Sequence, residues 1–281
     1  MSELPISPYL EGSVLFSGGT DSTLAAVSLL EQADRVTLLT CDPGFVHGIG
    51  KSRVNAKVLR DHFGAHRVRH RILDAREAIR FVYKASLRRD VWDYGFHLSA
   101  LTCLGCRLAM HAVAIIHNLL EGIAFVADGS IRGQAASSEQ LTSTLGRNRA
   151  FYRETYGLVS LSPIYAEDAS DQALHDLGIH GQKDLKRQFI FFDTQATCPL
   201  GVPADVYARV FYGGAMGRTR EVNAERYSHE KYPLMTAFIE DYFTTHGLDL
   251  QAHVRRLKRT AETMPKEWIP FAEVGEEAKT E

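Results

Sequence analysis

Ser17-Gly18-Gly19-Thr20-Asp21-Ser22-Thr23 follows a short apolar run, Ser13-Val14-Leu15-Phe16, and opens a segment with helical spacing at Leu24, Val27, Leu29 and Leu30. A strand, a glycine turn and a helix start in that order make an anion site. Gly18 and Gly19 let the backbone turn sharply and bring its N–H groups close to an oxyanion. Ser17 and Ser22 add hydroxyl donors, and the helix N-terminus adds partial positive charge. The loop has no lysine, so it does not fit Gly-x-x-x-x-Gly-Lys-[Ser/Thr]. The plain alternative is a serine-capped strand-to-helix turn.

Outward from this loop, strand and helix signals alternate. Val36–Thr40 and His66–Leu73 read as strands. Ser52–Phe63, about Ala75–Arg89 and about Thr102–Leu120 read as helices, and Ile123–Ala127 reads as a buried strand ending at Asp128-Gly129. Such alternation predicts an α/β chain: a parallel sheet with helices on both faces. Ligands of such sheets lie beyond the carboxyl ends of the strands, where Gly18-Gly19, Cys41-Asp42 and Asp128-Gly129 all fall. The polar segment Ser130–Tyr156 has weak periodicity and reads as a long loop. A short helix is expected over Ala169–Leu177, and a helical extension from Gly201 onward. The expected division is therefore 1–200 and 201–281.

Hydrophobic residues make up 45% and charged residues 23% of the 281, enough apolar surface for a full core. The sequence has no run of 18 apolar residues, and Met1-Ser2-Glu3-Leu4-Pro5 lacks secretory character. A cytoplasmic protein without a membrane span is expected. The net charge of −2 does not advertise nucleic-acid binding, though a local patch can hide within it. Arg76, Arg80, Lys84 and Arg88 recur every four residues and would form one helical stripe able to meet RNA phosphates; a solvated face is the alternative. A second basic cluster, Arg255-Arg256-Leu257-Lys258-Arg259, has the same two readings.

Four cysteines at these spacings suggest metal or redox chemistry rather than a disulfide framework. Cys103 and Cys106 form a Cys-x-x-Cys at an expected helix start, where the dipole would lower thiol pKa values. Cys198 lies far downstream. Three cysteines with an open fourth position suit an iron–sulfur cluster better than structural zinc, which takes four protein ligands. Zinc remains open if His97 or His111 completes a Cys3His set. Cys41 is left over, facing the site or buried and inert.

Ser-Gly-Gly-x-Asp-Ser resembles the PP-loop of the ATP pyrophosphatase superfamily, whose sheet is the Rossmann-like adenine nucleotide alpha hydrolase type. The resemblance implies cleavage of ATP between its α- and β-phosphates, leaving AMP on a substrate oxygen. Ser17, Gly18, Gly19, Asp21, Ser22 and Thr23 would then hold pyrophosphate, with Asp21 binding Mg2+ or ordering the loop. Cys103-Leu104-Gly105-Cys106-Arg107 with a later Cys198, and Ser162-Pro163-Ile164-Tyr165 between them, is similar to the iron–sulfur tRNA thiolation enzymes of the 2-thiocytidine and 2-thiouridine synthetase type. That resemblance implies a [4Fe–4S] cluster on Cys103, Cys106 and Cys198, a sulfur donor, and tRNA as acceptor. Two features depart from the pattern. Ala127-Asp128-Gly129-Ser130-Ile131-Arg132 lacks the acidic pair usual at this place, and no spare cysteines exist for terminal zinc clusters. A small-molecule acceptor, sulfurated or amidated, is therefore the first alternative, and a zinc-stabilised nucleotide-binding protein the second. Asp128 and Arg132 would position substrate, Gly129 and Cys41 would border the nucleotide, and a homodimer is left open.

Overall fold

The computed structural model describes residues 10–132, 137–166, 174–175, 179, 198 and 217–262. Its strands are β1 (Glu11–Leu15), β2 (Arg35–Asp42), β3 (Val68–Asp74), β4 (Phe125–Ala127) and β5 (Val159–Leu161). They form one sheet in the order β3-β2-β1-β4-β5, and every pairing is parallel. The chain thus has the expected α/β Rossmann-like fold. Side chains alternate across the sheet: Val14, Phe125 and Ala127 join the core cluster formed with helices α1 (Thr20–Leu30) and α2 (Ser52–Phe63), whereas Val126 joins the core on the opposite face. β1 is central. Its successors run first to β2 and β3, then return to β4 on its other side, so the strand order reverses between β1 and β4. Ligand crevices open at such a reversal.

The opposite face is covered by α3 (Arg76–Ala78) with its π-helical continuation Ile79–Lys84, then α4 (Leu87–Tyr94), α5 (Leu98–Glu121) and α6 (Thr142–Tyr156). Two C-terminal helices follow: α7 (Gly217–Thr245), with Pro233 inside it, and α8 (Leu250–Glu262). The helical C-terminal extension is thus present. Both helices share one apolar core with α5 and α6 through Tyr227, Met235, Ile239, Phe243, Val254 and Leu257. The expected boundary at 200 and most of the expected helix at 169–177 lie outside the described residues.

Three sequence expectations are corrected. The single helix over Ala75–Arg89 is interrupted: Ala85 N–H donates to Arg80 C=O at 2.9 Å, a π-type bond, and a new helix starts at Leu87. The wider turn seats Ile79, Val82 and Tyr83 together in the core. Arg88 therefore sits on a different helix from Arg76, Arg80 and Lys84. The expected loop from Ser130 onward contains α6, whose buried face is Thr144, Leu145, Asn148, Tyr152 and Tyr156. Its spacing is helical, but polar and aromatic residues hid the apolar period. Third, α5 starts at Leu98 rather than near Thr102, because buried Leu98, Leu101, Leu104 and Leu108 continue one stripe.

Leu101–Glu121 is long and apolar enough to cross a membrane by length and composition, yet it packs inside this core. Arg256 of the second basic cluster donates to the Leu120 and Glu121 carbonyls at 3.3 and 3.1 Å, capping the end of α5. Within the cysteine turn, a Cβ on Gly105 would sit against the Tyr227 hydroxyl and 2.7 Å from the Tyr83 ring, so α7 packs directly on that turn.

Candidate functional site

A cavity of about 400 Å3 opens at the carboxyl ends of β1, β2 and β4. Three parts of the sequence meet there: Ser17, Asp21 and Ser22 after β1, Thr40 and Cys41 of β2, and Asp128-Gly129 after β4. Cys103, Cys106 and Cys198 line the same cavity. All four cysteines thus converge on one space next to the glycine loop.

The loop is fixed by its own hydroxyls. Gly18 has φ +85°, a left-handed turn that favours glycine. The Gly19 N–H donates to Ser17 Oγ at 3.2 Å, and Ser22 Oγ donates to the Gly19 carbonyl at 3.1 Å. Thr23 Oγ1 also donates to that carbonyl, at 2.8 Å, and is buried. Gly18, Gly19 and Thr23 therefore shape the loop from behind, while Ser17, Asp21 and Ser22 face the cavity. Asn55 of α2 donates to the Gly18 carbonyl at 2.9 Å. Sequence reading missed Asn55, because an asparagine inside a helix carries no signal of a bond to a loop 37 residues away. Gly129 meets the loop across the strand reversal: a Cβ there would lie 2.7 Å from the backbone of Asp21 and Ser22.

Asp128 is buried, and both of its oxygens accept hydrogen bonds. Its Oδ2 accepts from Arg107 at 2.6 Å, and its Oδ1 accepts from the Ser130 N–H and from Ser162 Oγ, each at 2.9 Å. Burial alone would raise its pKa; Arg107, the Ser130 N–H and His111 together reverse this and hold it below the usual carboxylate range. Arg107 also reaches Ser130 Oγ at 2.8 Å and His111 Nε2 at 3.3 Å. His111 Nε2 accepts that bond, so Nδ1 carries the proton shared with Tyr152 at 2.5 Å. Burial, then Arg107, pushes His111 down to about 3, so it is neutral at pH 7.

Glu139, in the short 3-10 turn Ser138–Gln140, lies on the same wall. Among the described residues its Oε2 is buried without a hydrogen-bond partner. Burial pushes this carboxyl above the usual range, against the opposing pull of its own N–H and of Arg107. Nothing in the sequence around Ser138-Glu139-Gln140 singles it out.

The thiols do not occupy a helix start. Cys103 and Cys106 lie in the second and third turns of α5, past the reach of the helix dipole. Burial, then Cys198 and Glu139, pushes Cys106 up to about 12, and burial, then Cys106, pushes Cys41 to about 12. The expected depression of the thiol pKa is thus reversed at Cys106. Among the described residues no three His, Cys, Asp or Glu groups stand at metal-ligand spacing. In donor chemistry the set fits a thiolate-bound metal. Burial disfavours the charged forms of Cys41 and Cys106, and thiolates there need a cation to offset it. His97 is not on the cavity wall, and His111 is committed to Arg107 and Tyr152.

Arg132 lies outside the cavity lining, exposed, with its guanidinium 6.0 Å from the Tyr165 ring centre. Of the basic stripe, Arg76 pairs with Asp74 at 2.5 Å and Arg80 with Glu77 at 3.3 Å.

No protein-family model matches the chain, and no curated protein matches it. Among solved structures it is similar to a chain from Methanocaldococcus jannaschii described as a predicted subunit of tRNA methyltransferase. The two are 18% identical, with a TM-score of 0.39, over 60% of this chain and 74% of that one.

Proposed function

We propose that this chain is an AMP-forming, ATP-dependent sulfurtransferase that acts on a nucleobase carbonyl, with tRNA as the acceptor. The observation that carries this is the single cavity shared by the glycine loop and all four cysteines. Ser17 and Ser22 hydroxyls and the N-terminus of α1 bind the phosphates of ATP, and Asp21 would hold a Mg2+ that offsets their charge. The acceptor oxygen attacks the α-phosphate, and pyrophosphate leaves into the loop, where fixed donors stabilise its charge. A sulfur supplied by a donor then displaces AMP. Cys103, Cys106 and Cys198 would hold a [4Fe–4S] cluster, which supplies one iron open to sulfide. Glu139, beside Cys106 with one bare oxygen, handles the proton of the incoming sulfur. Arg107, Asp128 and His111 act as positioning residues behind it.

The test uses protein purified without oxygen. Iron and acid-labile sulfide should be present, and turnover should release AMP and pyrophosphate. ADP as the stoichiometric product overturns the proposal, because transfer from the γ-phosphate needs a different geometry. Cys198→Ala should lose its iron; full retention removes Cys198 from the ligand set.

Cys41 on the same wall favours a second reading, a closed four-cysteine zinc site in a nucleotide-binding protein. Stoichiometric zinc without iron in the same preparation selects it.

A further inference from the structure

A second cleft, of about 790 Å3, lies beside the thiol cavity, and Pro43 and Phe45 line both. The wall between them is held in place. Gly44 has φ +82°, its N–H donates to Asp42 Oδ1 at 2.9 Å, and a Cβ there would meet the Arg76 side chain.

The second cleft combines cations with aromatic rings. Arg76, Arg80 and Lys84 line it together with Phe45, Phe238 and Tyr242. The acids Asp74 and Glu77 line it too, and they engage Arg76 and Arg80. Those pairs are exposed, so they exchange readily for a phosphate. Among the described residues Lys84 forms no ion pair; its ammonium lies 5.9 Å from the Phe45 ring centre. Phe238 and Tyr242 lie four residues apart on α7, and His246, just past its end, stacks on Tyr242 at 4.1 Å between ring centres. Exposed Phe81 adds a further ring 5.9 Å from Phe238. Flat rings beside solvated cations are the chemistry that binds a base and its phosphate.

We propose that this cleft binds a nucleotide, with its base on the Phe45, Phe238 and Tyr242 rings and its phosphate at Arg80 and Lys84. It is distinct from the ATP loop, and Pro43 and Phe45 form the wall it shares with the cavity beside that loop. That this nucleotide is the acceptor rests on the sulfurtransferase reading; that the cleft takes a nucleotide does not. The ligand arrives either as a single-stranded RNA segment or as a free mononucleotide.

A fluorescent single-stranded oligoribonucleotide, with CMP and UMP as competitors, tests this on the full chain with a non-hydrolysable ATP analogue filling the first cavity. Binding by either source is expected. Tyr242→Ala should weaken it roughly 5- to 100-fold. Arg80→Gln with Lys84→Gln, both at exposed positions, should lower the salt slope of log K for the oligomer by about 1.4. CMP or UMP that displaces the oligomer at comparable concentration identifies a mononucleotide site, and oligomer binding without such displacement identifies RNA. Failure of both probes to bind overturns the proposal. So does unchanged affinity in the charge double variant, which keeps the test open if Tyr242→Ala does not fold. If the variants behave as expected but the wild type makes no AMP and pyrophosphate, the cleft stands and the sulfurtransferase function falls.

Discussion

The end of β4 and the turn Ser138–Gln140 face the same cavity, and each brings a buried carboxylate, but in opposite states. Asp128 has three donors distributed over its two oxygens, whereas Glu139 keeps one oxygen bare. A carboxylate with both oxygens hydrogen-bonded, one of them to a guanidinium, is held charged and oriented and is a poor acceptor for a substrate proton. An undersatisfied buried carboxylate is costly to the fold and is retained where chemistry uses it. In the proposed function the two thus separate scaffold from reactivity within one wall.

The largest expected effect breaks the scaffold side. Asp128→Ala removes the carboxylate that neutralises half-buried Arg107 and should cost about 3 kcal/mol of stability in denaturant unfolding. A loss below about 1 kcal/mol would mean that Asp128 is not the anchor of this wall. On the other side, Glu139→Gln should lower turnover by about 100-fold or more while raising stability at pH 7 by about 1 kcal/mol. Equal stability losses at the two sites would erase the contrast.

The pH dependence sharpens it, because the two shifts have opposite signs. The Asp128 pKa is depressed in the fold, so its contribution is complete above the unfolded value near 3.9 and is lost as pH falls through the folded value. The Glu139 pKa is raised, so its stabilisation exists below the unfolded value near 4.3 and disappears as pH rises through the folded one. Unfolding free energies measured between pH 3 and 7 should therefore show the Glu139→Gln advantage growing with pH. The His111 shift to about 3 adds a decline of at most ~1.4 kcal/mol per pH unit below about 6.5, which His111→Gln should remove. The smallest effect concerns thiol reactivity. In metal-free protein at pH 8, Cys41 and Cys106 should alkylate at least about 10-fold more slowly than a free thiol, read by peptide mass mapping. Rates equal to a free thiol would show that these two are not held in a dry wall.

Much of this wall was legible in advance because its signals are local. Glycine pairs, cysteine spacing and strand-end residues announce a parallel sheet and the place of its crevice within a few residues of one another. Asn55 and Glu139 announce nothing locally, since each matters only through what folding brings beside it. The π-helical turn was hidden for a related reason. The four-residue repeat of Arg76, Arg80, Lys84 and Arg88 survives in sequence even though a break at Ala85-Ser86 moves the last of them to another helix. Nothing in the sequence singles out Phe238 and Tyr242, and only the tertiary fold shows that one edge of α7 borders a cleft.

The contact between Gly105 and Tyr227 has a consequence for the order of assembly. The cysteine turn lies in the first half of the chain, yet the ring that packs on it arrives more than a hundred residues later. During synthesis the sheet and the phosphate loop can form before α7 leaves the ribosome, but the thiol wall cannot reach its final spacing until α7 docks. Under the proposed function, phosphate binding at the glycine loop would therefore precede metal loading at the thiols in a nascent chain.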